Sequence, residues 1–311
     1  MHDRHFDLLV VGDVNIDIIL GGMAALPRPG TEELAADLDF RSGGSAANCA
    51  RAAAKLGARV AFAGLIGQDR FGDFLLDAFR GSGVNTDYLR RDAKVSTGLT
   101  VSLSMAGERA FATYLGSNAA LCDEHLDTSA LARARHLHVG GYFLLRGMRR
   151  DYATLMRRAK EDGLTTSLDC GWDPEQRWNG ELSAVLESVD VLLPNEVEVR
   201  RLAGEDDLDA AVARLAARVP TVAVKLGAEG ALGQQGGRAA RAPAFPVQVL
   251  DTTALGDAFN AGFLVAHLEG RPLAESLRTG NAAAAIAASR MGDDRYASRD
   301  EVERMMAGGA N

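Results

Sequence analysis

Asp251-Thr252-Thr253-Ala254-Leu255-Gly256-Asp257-Ala258-Phe259-Asn260-Ala261-Gly262-Phe263-Leu264 is the stretch around which the chain is organised. The apolar run from Phe245 to Leu250 leads into it and reads as a strand. A helix rich in small residues leaves it, roughly Asp257 to Leu268. The loop therefore stands where a strand hands over to a helix start. The first N–H groups of a helix have no partner inside it and lie at the positive end of its dipole. Such a place binds anions, phosphate above all. Asp257 stands at that site and has two readings. As an N-cap it favours the helix start. As a general base it takes a proton from a hydroxyl attacking a phosphate held by the neighbouring N–H groups. The loop alone favours the cap, and the rest of the chain reverses that preference.

The chain has 311 residues, enough for one large α/β domain or two small ones. Apolar residues make up 47%, which supplies a sizeable core. The formal charge is −8 and there is no long basic run, so a nucleic-acid surface is not expected. Cys49, Cys122 and Cys170 are odd in number and widely spaced, which argues against a disulfide framework or a zinc site. The polar Met1–His5 runs straight into a strand and predicts no signal peptide. No apolar run reaches the ~18–20 residues of a membrane span. A soluble cytoplasmic protein is the expectation.

Outward from the central loop, the chain reads as alternating strands and helices. Phe6 to Val11 is a buried strand with Gly12-Asp13 at its carboxyl end, where open α/β sheets bind ligands. Asp17 lies in the alternating segment that follows. It is either the polar side of an edge strand or a carboxylate accepting bonds from substrate hydroxyls. Gly43-Gly44-Ser45 opens a helix to about Leu56, with Asn48 in its first turn. Two glycines let backbone approach a ligand, although a plain glycine turn explains them equally well. The segments Leu99–Met105 and Arg109–Leu115, joined at Ala106-Gly107-Glu108, read as a hairpin outside the main sheet. Paired with the segments near 15–20 and 34–40, it predicts a small four-stranded lid, from about 14–41 and 97–116.

From residue 131 the alternation is regular, with strands expected at His136–Val139, Thr165–Leu168, Val189–Leu193, Thr221–Leu226 and Ala231–Gln234. That order predicts a doubly wound, mostly parallel sheet with helices on both faces, and one domain over 1–311. Asp169 is either a turn residue or an acid on the phosphate side. Asn195 and Glu198, three apart at a helix start, are either a capping box or a hold on the water shell of magnesium. Lys225, at a strand's carboxyl end, either belongs to a glycine turn with Gly227 and Gly230 or meets a nucleotide phosphate. Asn281 faces either solvent or a ligand from an alanine-rich helix. His136 and His138 belong to a strand face, and the tail from Ala307 to Asn311 is expected to fray.

Together these stretches resemble the ribokinase-like, or PfkB-type, family of carbohydrate and nucleoside kinases, over nearly the whole chain. One family signature is matched by Gly43 through Ala50, with Gly57 and Gly67 following. The other is matched by Asp251-Thr252 and by Gly256-Asp257 through Leu264. The resemblance implies ATP with Mg2+ as phosphoryl donor and Asp257 as base, with the Ala254, Leu255 and Gly256 backbone as anion hole. It implies Asp17, Gly43, Gly44 and Asn48 as contacts to substrate hydroxyls. Asn195 and Glu198 would position magnesium, Glu198 through water. Lys225, Gly227, Gly230 and Asn281 would line the nucleotide side. It also implies a homodimer through the lid, and a monovalent cation such as K+ near Asp251–Thr253 and Ser289–Gly292.

The chain departs from the family in its anion loop, which is usually Gly-Ala-Gly-Asp and here is Ala254-Leu255-Gly256-Asp257. A left-handed backbone at 254 would cost alanine roughly 1–2 kcal/mol. Gly140-Gly141-Tyr142-Phe143 stands where ribokinases proper carry a glutamate, which makes ribose itself doubtful. Tyr142 or Phe143 could stack on a sugar face or a base. The expected activity is phosphorylation of a primary hydroxyl on a small sugar. A nucleoside kinase and a non-catalytic sugar or nucleotide sensor on the same scaffold are the alternatives.

Overall fold

The computed structural model describes residues 4–105, 108–178 and 181–308. The strands are β1 Phe6–Gly12, β2 Asn15–Met23, β3 Asp37–Gly43, β4 Val60–Gly67, β5 Leu89–Asp92, β6 Gly98–Met105, β7 Glu108–Tyr114, β8 Ala134–Gly140, β9 Thr165–Leu168, β10 Val191–Leu192, β11 Thr221–Lys225, β12 Ala231–Gln235 and β13 Arg238–Ala242. The helices are α1 Ser45–Lys55, α2 Arg70–Gly81, α3 Ser117–Ala120, α4 Tyr152–Glu161, α5 Glu181–Leu186, α6 Glu196–Ala203, α7 Leu208–Ala216, α8 Leu255–Leu268, α9 Leu273–Ala288 and α10 Arg299–Gly308. Among the described residues nine strands form one sheet in the order β13-β12-β11-β10-β9-β8-β1-β4-β5. The other four form a small sheet, β3-β2-β6-β7.

The large sheet is parallel from β5 to β11, and its far edge is antiparallel, with β12 reversed between β11 and β13. Its central strands β1 and β4 are buried on both faces, so they read as continuous apolar runs; all eight residues of β4 are buried. The chain passes from β1 to β4 and β5 on one side, then from β8 outward on the other. That reversal opens a crevice at the carboxyl ends of β1 and β8. α1 starts in it. A side chain at Gly12 would collide with Ala46, and one at Gly140 would press on the Ala46 backbone. α8 and α9 cross closely because Gly262 leaves room for Thr279 and Ala283, and Gly280 leaves room for Phe259.

Three expectations change. Phe245–Leu250 makes no ladder; Pro243 and Pro246 supply no N–H, and pairing ends with β13 at Ala242. The central loop thus follows an extended segment that borders a cavity, not a strand. α8 begins at Leu255, so Asp257 sits in its first turn and does not cap it; Ala254 holds the N-cap position. The chain end is helical through Ala307 and Gly308, while Gly309–Asn311 lie outside the described residues. Ala106 and Gly107 of the expected hairpin turn also lie outside them. The strands on either side of it pair from Leu99↔Tyr114 to Met105↔Glu108. No described helix is long and apolar enough to cross a membrane.

Candidate active site

Asp257 is held at both carboxylate oxygens by α1. Ser45 Oγ donates to Oδ1 at 2.8 Å and Asn48 Nδ2 to Oδ2 at 3.0 Å. Asn48 is itself oriented, because Tyr296 Oη donates to its Oδ1 at 2.9 Å. Burial pushes Asp257 up to about 7, and nearby Asp169 adds to the shift; the Ser45 and Asn48 bonds and Lys225 pull the other way. A carboxylate poised there exchanges a proton near neutral pH.

The two helix starts facing this carboxylate differ. At α1 the Asp13 side chain, from the end of β1, accepts from Ser45 N at 3.0 Å and Ala46 N at 2.9 Å. That positive end is already occupied by an acid of the chain. At α8 no side chain caps the first turn. Ala254 adopts φ 59°, ψ 14°, the left-handed conformation that the sequence made costly for alanine. Despite that residue, the N–H groups of Leu255, Gly256 and Asp257 emerge together from the helix start.

Beside α8 lies a cavity of about 550 Å3 bordered by Phe245, Pro246, Val249, Leu255 and Ala284. Its size is that of a small-ligand pocket. Lys225, Gly227, Gly230, Gly256 and Asn281, all singled out in the sequence, line the same space. Asn281 Nδ2 donates to the carbonyls of Ala242 at 2.9 Å and Pro243 at 3.0 Å, so it fixes the wall and does not face solvent. Gly230, at φ 92°, has no room for a side chain against the Ala242 carbonyl.

Lys225 Nζ donates to Asp169 Oδ2 at 2.7 Å and to Asn260 Oδ1 at 3.3 Å. Burial raises the Asp169 carboxyl, but Lys225 and the Asn260 amide outweigh it and hold the acid below its usual range. Lys225 is thus tethered before any ligand arrives. Asp169 Oδ1 also accepts from Gly171 N at 3.0 Å, so it is a turn residue as well as an ion-pair partner.

Asn195 and Glu198 form the full capping box. Glu198 N donates to Asn195 Oδ1 at 2.9 Å and Asn195 N to Glu198 Oε2 at 2.8 Å. Burial, with Asp169 nearby, pushes Glu198 up to about 7. Among the described residues no cluster of three or more His, Cys, Asp or Glu can cage a metal. One carboxylate beside an amide suits a magnesium ion that keeps most of its waters and rides on phosphates.

Asp17 lies on β2 against Gly43, where a Cβ would fall 2.3 Å from Asp17 Oδ2. Gly44, at φ 101°, has equally little room beside the Asp13 carbonyl. Burial pushes Asp17 up to about 6 against the bond from Asn15 Nδ2 at 2.7 Å. Gly43 and Gly44 therefore carry the chain from Asp17 directly into the α1 turn that holds Asp257. Tyr142 and Phe143 do not offer a stacking face. Tyr142 packs on Tyr152 at 4.7 Å and Phe143 on Trp178 at 5.4 Å, both in the core.

The sequence reading gave no role to Asp13 and Ser45, though it named both, and passed over Arg41, Arg295 and Tyr296. Asp13 and Ser45 had a signal, since one ends a strand in the crevice and the other opens a glycine-led helix. Arg41, Arg295 and Tyr296 had none. Arg295 gives all three of its nitrogens to oxygens: Nε to Gly292 O at 3.0 Å, Nη1 to Thr253 O at 2.9 Å and Nη2 to Asp251 Oδ2 at 2.7 Å. Arg41 Nη1 donates to the same Asp251 oxygen at 2.5 Å and also pairs with Asp39.

A doubly wound sheet with an open helix start, a poised acid and a cavity beside them defines a phosphate-handling α/β fold with a small accessory sheet. The pfkB family carbohydrate kinase profile matches residues 6–298. The chain belongs to that family. It is 31% identical to a ribokinase of Haemophilus influenzae over 295 residues, 92% of this chain and 93% of that one. Its fold matches Arabidopsis thaliana ribokinase complexed with ribose and ATP at TM-score 0.85 and 28% identity, covering 97% and 98% of the two chains. It matches adenosine kinase of Sinorhizobium meliloti at TM-score 0.83 and 26% identity, covering 97% and 99%.

Proposed function

We propose that the protein transfers the γ-phosphoryl group of ATP to a primary hydroxyl of a small sugar, with Asp257 as general base. The observation that carries this is the pair of bonds from Ser45 and Asn48 to Asp257, beside the uncapped start of α8. The nucleotide lies in the cavity of Lys225, Gly227, Gly230 and Asn281, in keeping with the ATP held by the Arabidopsis ribokinase. The sugar lies under the small sheet, which acts as a lid, against Asp17, Gly43, Gly44 and Asn48. The acceptor hydroxyl gives its proton to Asp257 as its oxygen attacks phosphorus in line. The N–H groups of Ala254 to Asp257 stabilise the charge that develops on the phosphoryl oxygens. Glu198 and Asn195 are the residues that would hold the waters of a magnesium ion, which would supply charge neutralisation at the phosphates.

A sugar acceptor is favoured because Asp17 and Asn48 offer a carboxylate and an amide to hydroxyls, and a nucleoside is the second reading. The test is ADP release from Mg·ATP over a panel of sugars, sugar acids and nucleosides. One class should turn over. Asp257→Asn should lower that turnover by roughly 10²–10⁴ while ATP binding persists. Unchanged turnover in the variant would remove Asp257 as base. Turnover of nucleosides alone would replace the acceptor class. Binding without turnover across the panel would favour the sensor.

A further inference from the structure

We propose that the Arg295 guanidinium is a built-in cation that takes the place of the monovalent ion at the anion loop. The oxygens such an ion would use are a carboxylate and backbone carbonyls drawn from two loops. Here the Asp251 carboxylate and the Thr253 and Gly292 carbonyls all accept from one guanidinium, at 2.7–3.0 Å. The Arg295 side chain is only 3% exposed and its Asp251 partner 5%. Guanidinium is permanently charged and planar, and here it engages three fixed oxygens with three nitrogens. Arg41 brings a second guanidinium to the same Asp251 oxygen. A further cation would meet two positive charges on one carboxylate.

The position of these contacts gives them a consequence. Thr253 immediately precedes Ala254, the left-handed residue from which α8 starts. Asp251 Oδ1 meanwhile accepts from Thr253 N at 2.8 Å. Arg295 therefore ties the loop that presents the N–H groups to the segment after α9. Arg295 is a positioning residue, acting through that loop. Arg41 belongs to β3 in the small sheet, so the same carboxylate links the accessory sheet to the loop.

The part of this inference that concerns turnover rests on the kinase reading above, and a thermal measurement separates the two. Melting temperature and ADP release of the full chain are followed as KCl replaces tetramethylammonium chloride at constant ionic strength. Neither should show a saturable, K+-specific rise. Turnover should change less than about fivefold, the lower edge of what a coupled effector produces.

Arg295→Ala should lower turnover about 10- to 100-fold, as loss of an outer partner does, with the sugar KM little changed. Millimolar guanidinium or K+ should restore part of it, and Arg295→Lys should retain more than the alanine variant. A saturable K+ activation or K+-specific stabilisation of the wild type overturns the inference. So does a folded Arg295→Ala that keeps full turnover or that neither ion rescues. If no substrate turns over, or the variant does not fold, the wild-type melting series still decides.

Discussion

Asp257 carries opposing demands. Ser45 and Asn48 favour its charged form, while burial and Asp169 favour the neutral one and win, holding it at about 7. The sign for stability follows. A carboxyl whose folded pKa is raised gives stability that is fully present below its unfolded pKa and is lost as pH rises through about 7. Asp257→Asn removes that loss. Its melting temperature should exceed that of the wild type, and by more at about pH 8 than at about pH 5. On the proposed role of Asp257 as base, turnover of the wild type should rise over the same interval as the carboxyl loses its proton. A variant less stable than the wild type at the higher pH would show that the carboxylate bonds to Ser45 and Asn48 outweigh its burial.

The elements around this residue differ in how openly the sequence declares them. β1 and β4 are continuous apolar runs because helices cover both faces of their sheet, and α1, α8 and α9 are marked by small residues where they cross. The cavity wall is not marked in this way. Phe245–Leu250 has the composition of a strand, yet its two neighbouring prolines and the end of β13 leave it unpaired. A contact such as Arg295 to Asp251 joins residues 44 apart that share no local pattern. Asp257 itself was legible as a site but not as a position, since the cap fell to Ala254 at positive φ.

Asn281 belongs to the same scale, because its amide pins α9 to the carbonyls of Ala242, at the end of β13, and Pro243, just after it. Asn281→Ala leaves both carbonyls without that partner and should cost about 1–3 kcal/mol of stability. It should also raise the KM for ATP more than that for the sugar. Equal KM changes would place the residue outside the nucleotide wall.

The small sheet raises a question for the molecule as a whole. Its ladder sets Leu38, Leu20, Leu103 and Ala110 in one row, and Phe40, Ile18, Val101 and Ala112 in the next row of the same face. Phe40 turns partly toward Phe71 and Phe74 of α2, at 6.1 and 4.7 Å. Leu38 remains 71% exposed and Tyr114, also on this face, 57%. The other face carries Asp17, Arg41, Thr100 and Thr113, with Ile19 and the exposed Phe111 farther along it. One end of the Leu38 face packs on the core through Ile16, Ile18 and Leu99, and its outer edge leaves Leu38 and Tyr114 exposed, an apolar patch of the kind that marks an interaction site. A second copy is the occupant we propose, since a two-fold contact sets the same face against itself. Light scattering on the purified chain should give a dimer, and Leu38→Glu with Val101→Glu should give a monomer of unchanged melting behaviour. On the proposed role of the small sheet as a lid, turnover in that monomer should fall through a higher KM for the acceptor. A wild-type monomer at micromolar concentration would leave this face to some other partner.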